Sequence, residues 1–424
     1  NKLALKTLQL PYSENLLRKI HSWLRQQPMA VILNGNDYTY PQQPFPLLMA
    51  GGSKAIPVGD NWQDAFLKKN PASWYFGYLG YDLKGRAEDE SREAFIGFPE
   101  QGLFEAEAVF EKKGNFVQLH SADPESLYSD VQNLPEYQPQ DLPEFPPFRP
   151  AVSKQAYLHN VEKVKQLIRE GDVYELNLCQ YFESNAAPDG LDFYLRLNQL
   201  FPMPFSGWFK SGHLEIASGS PERFLRKTGN ELISQPIKGT AARGRNEEED
   251  RQNRERLFHS EKERAENMMI VDLVRNDLAK VSRTGSTTVE EMFGIYAFPT
   301  VFQMISTVRS VKAADKNMAD VLDSAFPMGS MTGAPKLEVM KQIRSLEPVC
   351  RGAYSGALGC MHPDGDFDFN VLIRSLFINH GKNQCGFAVG SAITIDSDTE
   401  EEWAECMAKA AALLKVCGNP GLAG

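Results

Sequence analysis

The stretch "GAYSGALGCMHPDGDFDFNVLIRSLFINHGKNQCGFAVGSAITI", Gly352 to Ile395, narrows the fold more than any other part of the chain. It reads as three strands joined by Pro-Asp-Gly-Asp and Asn-His-Gly-Lys turns, which are too short to hold a crossover helix. Such strands pair antiparallel. An earlier run, "HLEIASGSPERFLRKTGNELISQPI", repeats the pattern as two strands about a Thr-Gly-Asn turn. Helices are expected at about Ser260 to Lys280, Lys336 to Ser345 and Glu400 to Lys415, between or after these strands. Grouped strands with segregated helices indicate an α+β fold.

Residues 133–150, "NLPEYQPQDLPEFPPFRP", carry six prolines, which lack the backbone donors that helix interiors and central strands need. A linker is expected over 133–152. After it, Ser153 can cap a helix whose apolar positions Tyr157, Val161, Val164, Leu167 and Ile168 recur at helical spacing until Gly171 ends it. Before it lie mixed short elements, including "WYFGYLGYDL", where glycine among aromatics suggests a strand with a close backbone neighbour.

A formal charge of -10, with no basic stripe, disfavours nucleic acid and anionic membrane surfaces as partners. The first ten residues show no apolar leader core and no apolar run approaches a bilayer span, so a cytoplasmic location is expected. Six cysteines without a C-x-x-C pair read as buried thiols, with neither disulfides nor zinc.

Two helices open alike. In "SEKERAENMMIVDLVRND" Ser260 and Glu263 fit a capping box, and Glu266 follows one turn later along the apolar stripe of Ile270, Leu273 and Val274. In "DTEEEWAECMAKAAALLK" Thr399 and Glu402 fit another, with Glu405 one turn on and Lys409 beyond it. Each pair can be an ordinary acidic first turn, and Glu405 with Lys409 an exposed ion pair. Alternatively the two E-x-x-E pairs converge as oxygen ligands for magnesium, with Glu266 and Glu405 direct and Glu263 and Glu402 behind them.

In "FPMGSMTGAPKLEVMKQI" glycines bracket Ser330 and Thr332, and Pro335 suits the first helical position, so the segment is either an anion-binding loop or a plain turn. Arg374 interrupts the apolar strand pattern of "VLIRSL", as a carboxylate binder or a structural ion pair, with Tyr354 and Gly390 on flanking strands. Glu222 follows a proline in "SGSPERF", as a solvated turn residue or an acid aimed into a cleft. Lys238, in "SQPIKGTAARGR", stands between an apparent strand end and a turn, where an exposed lysine is the ordinary reading.

Together "SPERF", "PIKGT", "RAENMMIVDLVRNDLAKV", "PMGSMTGAPK", "VLIRSL" and "DSDTEEEWAECMAK" resemble the chorismate-utilising enzymes, in family order from about Gly171 to Lys409. That family includes the first components of anthranilate and aminodeoxychorismate synthases and the isochorismate and salicylate synthases. The resemblance implies two stacked antiparallel sheets flanked by helices, a first lobe at 1–132 and a chorismate-binding region at 153–418. Lysine in "PIKGT" is similar to the aminodeoxychorismate-forming members, where anthranilate-forming members carry alanine. It implies that Lys238 attacks C2 of chorismate, that Glu222 is the general acid at the C4 hydroxyl, and that Arg374, Tyr354, Gly390, Ser330, Lys409 and Thr240 bind substrate. Magnesium would lie on Glu266 and Glu405, and ammonia would come from a glutamine amidotransferase subunit. Anthranilate synthesis and a catalytically silent scaffold are the rival readings.

Glu175 occupies the place of the water-activating lysine of isochorismate and salicylate synthases. Four positions depart from the family pattern: Gln303 stands where histidine is usual, Ser391 and Ala392 interrupt a glycine run, and Tyr181 replaces a frequent arginine.

Overall fold

Alternation along the strands decides which core each side chain joins. In Met29–Asn34, Val31 and Leu33 enter one apolar cluster while Ala30 and Ile32 enter another, as a period of two requires when both faces are covered. The computed structural model describes residues 5–57, 73–84 and 92–422.

Among the described residues the strands form two antiparallel sheets. The first runs, in spatial order, Lys6–Pro11, Phe116–Ser121, Ala108–Lys113, Leu48–Gly52, Met29–Asn34, Phe205–Ser211, Leu214–Ser220, Ser375–Asn379, Gln384–Ile393, Glu175–Ser184 and Gly333–Ala334. The second runs Ile237–Ala242, Val301–Val311, Glu231–Gln235, Arg223–Thr228, Phe367–Asn370, Ala357–Met361, Tyr75–Leu79, Gln101–Glu105 and Lys54–Ile56. Inner faces of both share a core, in which Phe209 of the first sheet meets Tyr78 and Phe104 of the second at 5.4 and 6.3 Å between ring centres. Helices Glu14–Gln26, Lys154–Glu170, Gly190–Leu200 and Thr399–Val416 cover the outer face of the first sheet. The expected α+β class with stacked sheets is therefore what the chain adopts.

Each sheet takes strands from both sides of the proline-rich segment, so 1–132 and 153–418 share their cores. That segment has neither helix nor strand from 134 to 148, Arg149–Pro150 then pairs as a short strand with Glu183 and Phe182, and Ser153 caps the next helix by accepting from the Ala156 N–H while Gly171 ends it at φ 86°. In Tyr75–Leu79 the anticipated close approach is at Gly77, where a Cβ would lie 1.9 Å from the Gly102 carbonyl oxygen. The six cysteines are free. No described helix is long and apolar enough to cross a membrane.

Both signature runs contain one more strand than expected, because the chain changes sheets inside them. Leu214–Ser220 lies in the first sheet and Arg223–Thr228 in the second; Phe367–Asn370 lies in the second and Ser375–Asn379 in the first. The two crossings lie side by side. The Val371 N–H donates to the Glu222 carbonyl (3.0 Å), the Ser220 hydroxyl to the Val371 carbonyl (2.6 Å) and the Gly219 N–H to the Arg374 carbonyl (3.0 Å). Arg374 is thus at a crossing and not in a strand, with a left-handed φ of 53° that costs a residue bearing a Cβ backbone strain.

A buried ion pair pins the next part of the framework. Arg351 and Glu347, each 1% exposed, lie 2.6 Å apart, and Arg351 also donates to the carbonyls of Met331 (2.6 Å) and Asn177 (2.9 Å). Glu347 accepts from the Cys179 N–H and the Tyr181 hydroxyl, which accounts for the tyrosine at that position. Replacing Arg351 by methionine strands a carboxylate in the core, so chemical denaturation should show a loss of about 3–5 kcal/mol; a loss below 1 kcal/mol would mean that the pin is dispensable.

Candidate functional site

The crossings and the pinned strands enclose a cavity of about 570 Å³ between the sheets. Every residue singled out for metal, substrate or catalysis lines it: Glu222, Lys238, Thr240, Glu263, Glu266, Ser330, Tyr354, Arg374, Gly390, Glu402, Glu405 and Lys409.

Lys238 lies within a strand, contrary to the strand-end reading. Ile237–Ala242 pairs with Val301–Val311, and between Ile237↔Ile305 and Thr240↔Gln303 the register slips by one residue. This is a β-bulge, which Gly239 permits at φ 97° and which re-aims the adjacent side chain. The Lys238 side chain is 11% exposed, and its ammonium lies 3.3 Å from Glu175 Oε1. Burial pushes its pKa down, but the charges of Glu175, Glu266 and Glu222 outweigh that, and the net shift is upward. Lys238 therefore rests as an ammonium.

Glu222, 4% exposed, is raised to about 7 by burial, against the opposing pull of the Ser330 hydroxyl and the Lys238 charge. Arg374 projects into the cavity with no carboxylate partner among the described residues, and burial lowers its pKa. Tyr354 is buried beside it, with its hydroxyl 3.7 Å from Cys179 Sγ. At Gly390 a Cβ would fall 2.4 Å from Asn177 Oδ1, so only glycine leaves this wall open. Lys409 donates to the Gly390 carbonyl (2.7 Å) and pairs with Glu405 (2.6 Å). Thr240 is exposed at the rim. In the glycine loop Ser330 faces the cavity, whereas Thr332 turns its hydroxyl inward onto the Met328 and Gly329 carbonyls; Pro335 precedes the helix Lys336–Leu346 as its cap.

The acidic helices do converge. Glu261–Ala279 starts at Ser260, which accepts from the Glu263 N–H; the reciprocal bond of the expected box is missing because the Ser260 N–H already donates to the Leu257 carbonyl. Thr399–Val416 is capped by Asp398, not by Thr399 as expected, because the Asp398 carboxylate reaches the N–H groups of Glu400 and Glu401. Burial raises Glu266 to about 7 and raises Glu263 as well. In Glu405 burial acts the same way, but Lys409 reverses it and the net shift is downward. Both oxygens of Glu402 are engaged by the Ser391 and Ser397 hydroxyls, so it braces the strand.

Lys262, which the sequence reading did not single out, has its pKa raised by Glu266, Glu402, Glu263 and Glu405, against burial. One ammonium therefore feels all four carboxylates. No three of the described His, Cys, Asp or Glu side chains form a ready-made cage. The donor set still suits a hard cation that keeps open positions, since Glu266 makes no hydrogen bond or ion pair among the described residues and Glu405 needs only to release Lys409. Gln303 lines the cavity with its Oε1 buried and unpartnered, and Ser391, which also lines it, donates its hydroxyl to Glu402.

The Glu222 shift carries a sign. Its folded pKa of about 7 lies above the unfolded value of 4.5, so its stabilising contribution is complete below 4.5 and is lost as pH rises through 7. Denaturation of the parent chain should lose about 3 kcal/mol over that window relative to Glu222→Gln; parallel curves would place the carboxyl in water.

Residues 43–415 match a family model described as chorismate binding enzyme. The chain is 43% identical over 268 residues to a probable chloroplastic aminodeoxychorismate synthase of Oryza sativa, covering 62% of this chain and 30% of that one. It is thus matched to less than a third of the length of that plant relative. It is 33% identical to aminodeoxychorismate synthase component 1 of Escherichia coli and 33% identical to anthranilate synthase component 1 of Thermus thermophilus, in both cases over 80% of this chain and 76% of the relative. The structure of anthranilate synthase component I from Streptococcus pneumoniae superposes with a TM-score of 0.75 at 25% identity, covering 97% of this chain and 93% of that one.

Proposed function

The chain belongs to the chorismate binding enzymes, and on that premise we propose that it is the synthase component of an aminodeoxychorismate synthase, serving para-aminobenzoate and folate synthesis. It takes chorismate and ammonia to 4-amino-4-deoxychorismate, the ammonia coming from a glutamine amidotransferase subunit. The name "component 1" carried by relatives supports a second subunit. The observation that carries the reading is the bulge that turns Lys238 into the cavity that Glu222 also lines.

In this reading the Lys238 nitrogen bonds to ring C2 while the C4 hydroxyl departs. Glu222, near half-protonated at neutral pH, supplies the proton that makes water of the leaving group. Ammonia then bonds at C4 and Lys238 leaves, with the enolpyruvyl group retained. Arg374 is the free guanidinium for a substrate carboxylate, with Tyr354, Ser330, Thr240, Lys409 and the open wall at Gly390 completing the binding surface. Glu266 and Glu405 would hold magnesium, backed by Glu263 and Glu402; bound there, it supplies positive charge for a substrate carboxylate.

The rival reading, anthranilate synthesis, draws support from the equal identity to the Thermus enzyme. Purified chain given chorismate, magnesium and ammonium should form aminodeoxychorismate, which yields para-aminobenzoate only when a lyase is added. Fluorescent anthranilate appearing without a lyase would overturn the reading. Lys238→Ala should lower turnover by orders of magnitude while chorismate and magnesium still bind, and unchanged turnover would reject both the nucleophile and the proposed chemistry. Glu266→Gln and Glu405→Gln should each weaken magnesium binding by roughly 10–100-fold in calorimetric titration; unaltered affinity in both would remove the proposed metal site.

A further inference from the structure

Resting on the reading that Lys238 is the nucleophile, we propose that Glu175 is its base: it takes the Lys238 proton before attack and keeps it until the amine leaves the ring. An ammonium has no lone pair to offer, so a lysine that rests protonated needs an acceptor in reach. Of the carboxylates that surround it, Glu175 is the one in contact, 3.3 Å away. Glu222 must hold its own proton for the departing hydroxyl, and Glu266 is assigned to the metal.

The placement of Glu175 suits a private exchange. It opens the strand Glu175–Ser184 opposite Ala334, is 1% exposed, and lies behind Lys238 outside the cavity lining. Its second oxygen, Oε2, is buried without a hydrogen-bond partner. That is a costly arrangement for a carboxylate whose task is only to hold a cation, and a serviceable one for a group that alternates between anion and acid. Water has no access from that side, so the proton stays with the pair.

The step balances. Lys238–NH3⁺ gives a proton to Glu175, leaving neutral amine and carboxylic acid. The amine lone pair forms the N–C2 bond, the ring double bond shifts, and the C4–O bond breaks with its electrons on oxygen, which takes the Glu222 proton and leaves as water. The adduct nitrogen is then a secondary ammonium. Ammonia's lone pair forms the C4–N bond, the double bond shifts back, and the C2–N electrons return to Lys238 as a neutral amine, which recovers its proton from Glu175. The new C4 ammonium returns one proton to Glu222, and the enzyme is restored.

The test compares Glu175→Gln, Glu175→Asp and Lys238→Ala with the parent chain, each checked for a cooperative melt, in turnover assays with chorismate, magnesium and ammonium across pH. Glu175→Gln should lose roughly 10²–10⁴-fold in kcat with little change in chorismate KM. Its turnover relative to the parent should climb with pH, because the amine, now faced by Glu222 and Glu266 alone, must shed its proton to solvent; the ratio cancels the titration of Glu222. Glu175→Asp, keeping a carboxylate, should fall between Gln and parent with a flat ratio. Parental turnover in Glu175→Gln, a pH-independent ratio for it, or a rising ratio in Glu175→Asp would overturn the assignment while leaving Lys238 as nucleophile. Full activity in Lys238→Ala would instead remove the premise, and the assignment with it.

Discussion

The hydrogen bond from the Val371 N–H to the Glu222 carbonyl ties together the two places where the chain passes from one sheet to the other. A strand that changes sheets must break its ladder, and the freed backbone groups have to find partners. Here each crossing satisfies the other. The consequence is that Glu222 and Arg374, 152 positions apart in the chain, are held on adjacent backbone in the lining of the cavity. Arg374 accepts a left-handed φ in that position, a local strain that the packed sheets on either side sustain.

Around this frame the charges are sorted into groups. Lys238 is paired with Glu175 and held as an ammonium by the charges of Glu175, Glu266 and Glu222. On the acidic helices Lys262 and Lys409 face four glutamates, and Arg374 has no carboxylate partner among the described residues. An anionic ligand entering this cavity meets the Arg374 guanidinium as well as a cluster of four glutamates. Burial works on the acids in a consistent direction, holding Glu222 and Glu266 near 7 and so making each responsive around neutral pH.

Much of this was legible in the residues. Turn dipeptides and alternation exposed the antiparallel strands, proline content marked the irregular segment after Asn133, and Ser153 with Gly171 bounded a helix because caps act within a few residues. Effects that act across the fold were not legible. The sheet changes at Pro221 and Arg374 look like continuous strand pattern, since alternation persists through a crossing; the bulge at Lys238 depends on its partner strand. Lys262 carried no local signal, because its place among four glutamates exists only once two helices meet. The same holds for the protonation of Lys238: desolvation can be guessed from an apolar context, whereas the Glu175 charge that reverses its effect lies 63 positions away. Asp398 displaced Thr399 as a cap because both are good caps, and neighbouring geometry chose between them.

The central claim is that the Lys238 nitrogen becomes bonded to the substrate ring. Chorismate and magnesium without ammonia, quenched in acid and digested, followed by mass spectrometry of the peptide that contains Lys238, test it most directly. The account predicts a fraction of that peptide heavier by the mass of chorismate less one water, absent when ammonia is supplied in excess. A chain that turns over chorismate with ammonia yet shows no such adduct, or bears it on another residue, contradicts the account.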